Sequence, residues 1–241
     1  MTRDPPRLLP CGDTAFTIEF GTRIDAGANA RVLALDAALA ERGWPGLLET
    51  VPTYRSLTVH LDPLRADPAE LGRAVLALAA EALAPVPSRR LWRIPVVYGG
   101  DFGIDLEAVA AHHGLAPEAV IERHSAPEYR VAMIGFLPGY AYLEGLDPGL
   151  ALSRRPSPRP LTPAGTVSIG GAQALVASIA APSGWHLLGR TPEKTFVPGR
   201  EPVFLLQPGD RVLFVPTPPE RWDVLAAAAE AGEPVAELCE A

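Results

Sequence analysis

From Thr14 to Phe20 apolar and polar residues alternate, with Phe16, Ile18 and Phe20 on one face and Thr17 and Glu19 on the other. A period of two predicts a half-buried strand. The Gly12-Asp13 pair ahead of it predicts a turn from a short strand around Leu8-Leu9. From Asp25 to Arg42 the period changes: Ala28, Val32, Leu35 and Leu39 recur at spacings of four, three and four. That is an amphipathic helix, stopped by Gly43 and Pro45. Leu57, Val59 and Leu61 give a second alternating strand. Asp67 and Pro68 then supply an N-cap and a first helical position for a helix with inner face Leu71, Val75, Leu78 and Ala82. Strands followed by helices that cover one face make a small α+β layer. Tyr54 and His60, polar side chains within this layer, are expected at its surface or edge.

Pro85-Val86-Pro87-Ser88-Arg89-Arg90 has two prolines and no periodicity, which predicts a linker. The expected domains are therefore 1–86 and 87–241. Beyond the linker a strand runs from Arg93 to Tyr98, and Gly99-Gly100-Asp101 turns the chain. Asp105 is placed to cap a short helix to His113, ended by Gly114, and Pro117–His124 forms another. Tyr129, Val131 and Met133 alternate in a strand. After Gly165 come short candidate strands at Val167–Ile169, Ala174–Ile179, Trp185–Leu188, Val203–Leu206 and Arg211–Val215. This series predicts a compact antiparallel barrel, closed by a helix over Pro219–Ala231 that packs through Trp222 and Leu225. The fold class is α+β.

Three loops interrupt that regularity. Ile134–Leu143 holds two glycines, a proline and three aromatic rings, a composition that fits neither a helix nor a regular strand. Arg154–Gly165 carries three arginines and four prolines. Ser183–Thr191 contains Gly184, Trp185, His186, Gly189 and Arg190. Rigid loops rich in aromatic and cationic groups are where binding sites are built.

The chain has 241 residues, of which 48% are hydrophobic, enough for a substantial core. Its formal charge of −7 argues against nucleic acid as a partner, with Arg154, Arg155 and Arg159 as a local exception. Cys11 and Cys239 match no metal or redox spacing, and free thiols are expected. No signal-peptide core follows Met1, and no apolar run is long enough to span a bilayer. A cytoplasmic protein without a membrane partner is the expectation.

Motifs for self-contained catalysis are missing. There is no phosphate loop with its lysine, no dinucleotide-binding glycine pattern and no serine elbow. His112 and His113 are adjacent, which disfavours a shared metal, and His124 with Glu122 is a weak candidate better explained by capping or exposure. A ligand-binding cleft remains, with Phe136, Pro138, Tyr140 and Trp185 as walls. Arg159 and Arg190 are the candidates for two-pronged recognition of a carboxylate or phosphate. Thr162, Ser168, Gln173 and Thr191 would orient the ligand. No residue is assigned a catalytic role. Taken one at a time, these side chains are equally well explained as closing a barrel, with Trp185 in the core and the arginines in ion pairs.

The runs Gly135-Phe136-Leu137-Pro138-Gly139-Tyr140-Ala141-Tyr142-Leu143, Gly145-Leu146-Asp147, Pro163-Ala164-Gly165-Thr166-Val167, Leu188-Gly189-Arg190-Thr191 and Pro208-Gly209-Asp210-Arg211-Val212 resemble the allophanate hydrolase subunit 1 family. In the first half Val51-Pro52-Thr53-Tyr54 and Ile94-Pro95-Val96-Val97-Tyr98-Gly99-Gly100 agree as well. The family includes the B-type subunit of ATP-dependent 5-oxoprolinase and the sporulation kinase inhibitor KipI. The resemblance implies a small N-terminal α+β domain followed by a cyclophilin-like β-barrel. It also implies a sister subunit with a related barrel, of the allophanate hydrolase subunit 2 kind (the C-type component of 5-oxoprolinase), and a third 5-oxoprolinase subunit. Such a complex opens 5-oxo-L-proline to L-glutamate with ATP, and this chain alone would be inactive.

One wall departs from the family pattern. Relatives usually carry Thr-Gly-Ile-Tyr-Pro and then Ser-Pro-Gly-Gly-Trp, whereas this chain has Ala174-Leu175-Val176-Ala177-Ser178 and then Ala181-Pro182-Ser183-Gly184-Trp185. With Ala177 a ring and a hydroxyl are lost, so the substrate is open. Two alternatives implied by the same resemblance are an inhibitor that docks on a sensor histidine kinase and a partner in urea-carboxylase-type chemistry.

Overall fold

The alternating segments of the first half pair into one antiparallel sheet, in a computed structural model that describes residues 5–81, 83, 84, 86 and 90–240. The chain divides into two compact units, residues 1–87 and 88–241. The linker expected at 85–90 lies mostly outside the described residues, as does Ala82. In the first unit, strands β1 (Arg7–Pro10), β2 (Ala15–Glu19), β3 (Leu47–Pro52) and β4 (Ser56–Leu61) lie in the order β1-β2-β4-β3. Helices α1 (Ala26–Arg42) and α2 (Pro68–Ala80) supply the apolar stripes that cover one face. Ile18, Leu57, Val59, Val32, Leu35 and Val75 are fully enclosed between them.

The helix ends follow the sequence. Asp25 accepts from the Ala28 N–H at 3.0 Å, and Gly43 closes α1 in the left-handed conformation at φ 56°. Asp67 accepts from both the Ala69 and Glu70 N–H groups, with Pro68 next to it. On the opposite face of the sheet Glu19 bonds both Arg7 and Arg55, whose guanidinium groups hold its carboxyl below the usual range. Strand β3 was not anticipated, and Tyr54 is buried rather than exposed.

The second unit is a closed barrel. Its strands are β5 (Arg90–Tyr98), β6 (Tyr129–Ile134), β7 (Ala141–Glu144), β8 (Arg159–Thr162), β9 (Thr166–Gly170), β10 (Gln173–Val176), β11 (Ala181–Ser183), β12 (His186–Arg190), β13 (Arg211–Pro216) and β14 (Glu237–Glu240). The ring runs β12-β9-β10-β7-β6-β13-β5 and returns to β12 through Gly189 and Arg190 opposite Tyr98 and Val97. Seven strands thus close on themselves. The other end of the same β5 edge is covered by β14. Strands β8 and β11 form a separate two-stranded ribbon.

Inside the barrel lie Ile94, Val96, Val131, Leu143, Val167, Ile169, Val176, Leu188 and Val212. Helices α3 (Leu106–His113) and α4 (Pro117–Ser125) add Leu106, Val109, Ala110 and Val120 to this core. Helix α5 (Trp222–Glu230) follows β13, with Trp222 and Leu225 half-buried.

The structure corrects the sequence expectations in several places. The barrel is mixed, because β13 runs parallel to β5. The end of the first special loop is a strand, β7. Residues 203–206 form no strand and make only an isolated bridge from Phe204 to Phe196.

Candidate functional site

The first special loop leaves β6 through Gly135 and returns as β7. Phe136 is the one non-glycine among the described residues with positive φ, at 67°. The Leu137 N–H donates to the Gly135 carbonyl across it at 2.9 Å, a tight three-residue turn. The Gly135 N–H donates to the Tyr140 carbonyl, and the Tyr140 N–H to the Leu137 carbonyl, both at 3.1 Å. Gly139, at φ 76°, has room only for hydrogen, since a Cβ there would stand 2.7 Å from the Phe196 Cβ. The Ser178 hydroxyl donates to the Pro138 carbonyl. These ties fix a loop whose Phe136 ring is 67% exposed and lies edge-on to Tyr140 at 5.6 Å.

Behind this loop, the barrel strands present an outer face. Ser168, Leu175 and Tyr142 stand in one cross-strand row, and Gly170 and Gln173 in the next. Trp185 covers Gly170, and Tyr140, Leu175, Ala177, Ala181 and Trp185 form a small apolar cluster of their own. Tyr142 meets Trp185 edge-on at 5.9 Å, and the Arg154 guanidinium lies 5.3 Å from the indole. The Tyr140 hydroxyl donates to the Ile179 carbonyl at 2.7 Å. Burial pushes its pKa up to about 12, so it stays protonated at neutral pH. Ser168 is 1% exposed, and its hydroxyl has no partner among the described residues.

Arg159 enters from the ribbon, where it stands opposite Ser183. It donates from Nη2 to Asp105 Oδ1 at 2.6 Å, and Arg155 Nη1 approaches the same oxygen at 3.4 Å. The other oxygen, Asp105 Oδ2, accepts from the Leu187 N–H at 2.8 Å. Asp105 therefore occupies the cap position of α3 without capping it. Local sequence signalled a cap, but its partners lie some fifty and eighty residues further on. One loop thus sends Arg154 towards the indole and Arg155 and Arg159 towards a buried carboxylate.

The remaining predicted residues hold the scaffold. Thr162 donates to the Ala181 carbonyl at 2.9 Å and ties the ribbon together. Thr191 is buried, and its hydroxyl accepts from the Glu193 N–H at 3.1 Å. Arg190 donates from Nε and Nη2 to the Ala164 carbonyl, 3.2 Å each, and lies 4.8 Å from the Trp222 ring. The predicted set thus resolves into the outer-face cluster with its loop, the Arg155–Arg159–Asp105 group, and a pair of braces at 190–191. The side chains sequence reasoning missed are Asp105, Tyr142 and Ser178.

His124 is fully enclosed rather than capping or exposed. It stacks on Phe214 at 5.0 Å, and its Nδ1 lies 2.8 Å from the Tyr98 hydroxyl. Burial lowers its pKa to about 3. Among the described residues no group of three or more His, Cys, Asp or Glu side chains is placed to hold a metal ion. Nor is any described helix long and apolar enough to cross a membrane. An open hollow of about 530 Å³ is lined by Glu122, Arg123, Ala126, Pro127 and Asp147, none of which belongs to the predicted set.

Comparison with known proteins places this architecture. The sequence matches the carboxyltransferase domain, subdomain C and D, over residues 6–206. It is 42% identical over 218 residues to the B-type subunit of 5-oxoprolinase from Bacillus subtilis, covering 85% of this chain and 90% of the relative. The chain belongs to this family. The resemblance seen in the sequence motifs therefore stands. Among solved structures, the crystal structure of TTHA0988 is 41% identical with a TM-score of 0.75, over 86% of this chain. The chain spans only 41% of that longer polypeptide. The K. lactis urea amidolyase shares the fold, with a TM-score of 0.81 at 19% identity over 97% of this chain and 16% of that one.

Proposed function

We propose that this chain is the B-type subunit of a 5-oxoprolinase-type hydrolase, working with a sister subunit of related barrel fold and a third subunit. The observation that carries this reading is the 42% identity over nine-tenths of a relative named as the B-type subunit of 5-oxoprolinase. The reaction opens the lactam of 5-oxo-L-proline to L-glutamate. An unstrained lactam resists water, so ATP, expected in the assembled complex, would supply the activation; no residue of this chain is assigned to it. The chain's own contribution is to bind and orient the acid. The outer-face cluster, with Phe136 and Pro138 at its rim, Gln173 and Trp185 beside it and the arginine loop adjoining, is the proposed substrate surface. Thr162, Arg190 and Thr191 act there by holding the loops.

A second reading, an inhibitor that docks on a sensor histidine kinase, draws on the same loop. An aromatic ring that is 67% exposed on a braced, left-handed backbone is suited to contact with another protein. That surface serves an interface with its sister subunits in the enzyme reading and a histidine kinase in the inhibitor reading. Purification of the tagged chain from its own host separates the two. Recovery of two further subunits with ATP-dependent release of glutamate from 5-oxoproline is the expected result. Recovery of a histidine kinase, without that activity, would replace it.

A further inference from the structure

Two guanidinium groups share one carboxylate in the second unit, and the charges do not cancel. Asp105 is 4% exposed, and both its oxygens are committed, one to the arginines and one to the Leu187 N–H. It neutralises one positive charge and leaves the group at net +1. The arginines are also under-used as donors. Arg159 Nη1 and Arg155 Nε are buried with no acceptor among the described residues. Enclosed charged donors without acceptors are costly, and the cost is relieved by an acceptor of opposite charge. The side chains of Arg159 and Arg155 are 20% and 35% exposed, against 5% for that of Asp105.

We propose that Arg155 and Arg159, keyed by Asp105, form a binding site for the carboxylate of a small acid. A carboxylate presents two coplanar oxygens to a planar fork of N–H donors, and its single negative charge matches the net +1 of the group. Asp105 is a positioning residue. It holds Arg159 by one oxygen, and through the other it anchors the group to the backbone of β12 at Leu187. The neighbouring Arg154 is turned away onto Trp185 and takes no part. The identity of the acid as 5-oxoproline rests on the function proposed above, whereas the existence of the site does not.

Two measurements test this. In the assembled complex, Arg159→Ala, Arg159→Lys and Asp105→Asn are compared with the unaltered chain for KM and kcat with 5-oxoproline. Expected are a rise in KM of about tenfold or more for Arg159→Ala, as for the loss of a charge-assisted pair, partial rescue by Arg159→Lys, a smaller rise for Asp105→Asn, and lesser changes in kcat. Variants that remain folded by circular dichroism with KM unchanged would reduce the arginines to braces and overturn the proposal. Separately, thermal unfolding of the full chain is followed with 5-oxoproline and with 2-pyrrolidinone, the same lactam without its carboxylate. Stabilisation by the acid alone, abolished in Arg159→Ala, is expected. If the complex fails to turn over 5-oxoproline, the functional reading falls, and acetate and inorganic phosphate become the probes. Stabilisation by acetate that requires Arg155 and Arg159 would then uphold a carboxylate site for another acid. Stabilisation by phosphate alone, or by neither, would overturn it.

Discussion

The indole of Trp185 rests on Gly170 so closely that a Cβ at that glycine would stand 2.7 Å from Cδ2 and 3.0 Å from Cε2 of the ring. The glycine is what lets the covering loop lie against the barrel. Gly170→Ala is therefore expected to push the ring outward and destabilise the chain by about 1–3 kcal/mol, the usual cost of overpacking. Thermal unfolding should show a melting point several degrees lower, and the Trp185 fluorescence should shift with greater solvent contact. An unchanged melting point would mean the loop yields without strain.

His124 gives the chain a pH dependence of predictable sign. Its folded pKa is lowered to about 3 from a reference of 6.5, because the ring is fully enclosed. Well above the reference value both folded and unfolded states hold it neutral, and it costs nothing. As pH falls from 6.5 towards about 3 the unfolded state gains a proton that the folded state refuses. Stability is lost at up to about 1.4 kcal/mol per pH unit in that window. His113, lowered in the same direction by desolvation, adds to it. Comparison of melting points at about pH 7.5 and about pH 5, either side of the reference histidine value, should show a clear drop that is reduced in His124→Phe, whatever that variant's absolute stability. An equal drop in both would exclude His124 as its source.

Phe136 combines an unfavourable backbone with an exposed side chain. Phe136→Gly relieves a left-handed conformation that costs a non-glycine residue roughly 1–2 kcal/mol. It also loosens the unfolded chain and gives up the ring contact with Tyr140, worth about 0.5–1.5 kcal/mol. Stability should stay within about 1 kcal/mol of the starting value, since these effects oppose one another, while co-elution with the partner subunits weakens. A large loss of stability with assembly intact would make Phe136 a structural residue.

The legible parts of the sequence were those where local chemistry decides the structure. Gly43 stops α1, Asp67 caps α2 and Pro68 takes its first position, as their types require, and Phe16-Ile18-Phe20 alternates because one sheet face is buried. The illegible parts were decided by distant partners. Asp105 looked like a cap and serves two arginines and a strand N–H instead. Strand β7 hid in a glycine- and aromatic-rich loop; it pairs with its sequence neighbour β6 on one side, and its other partner, β10, lies some thirty residues further on. The parallel course of β13 beside β5 likewise involves a distant partner. For His124 a signal existed: Val120 precedes it by four, which puts both on the buried face of α4. Among the candidate site residues, type alone set the choice of loops. It did not distinguish Thr162 and Thr191, which tie the backbone, from Ser168 and Gln173, which line the outer face.

On the function proposed above, this chain is a necessary part of a 5-oxoproline-opening enzyme. The most direct measurement reconstitutes the complex from separately purified subunits and follows ATP-dependent glutamate formation from 5-oxoproline with this chain omitted and then added back. Activity that is absent without the chain and restored in proportion to its addition, up to a fixed stoichiometry, is the predicted result. Full activity without it, or a stable complete complex that leaves 5-oxoproline untouched, would contradict the claim.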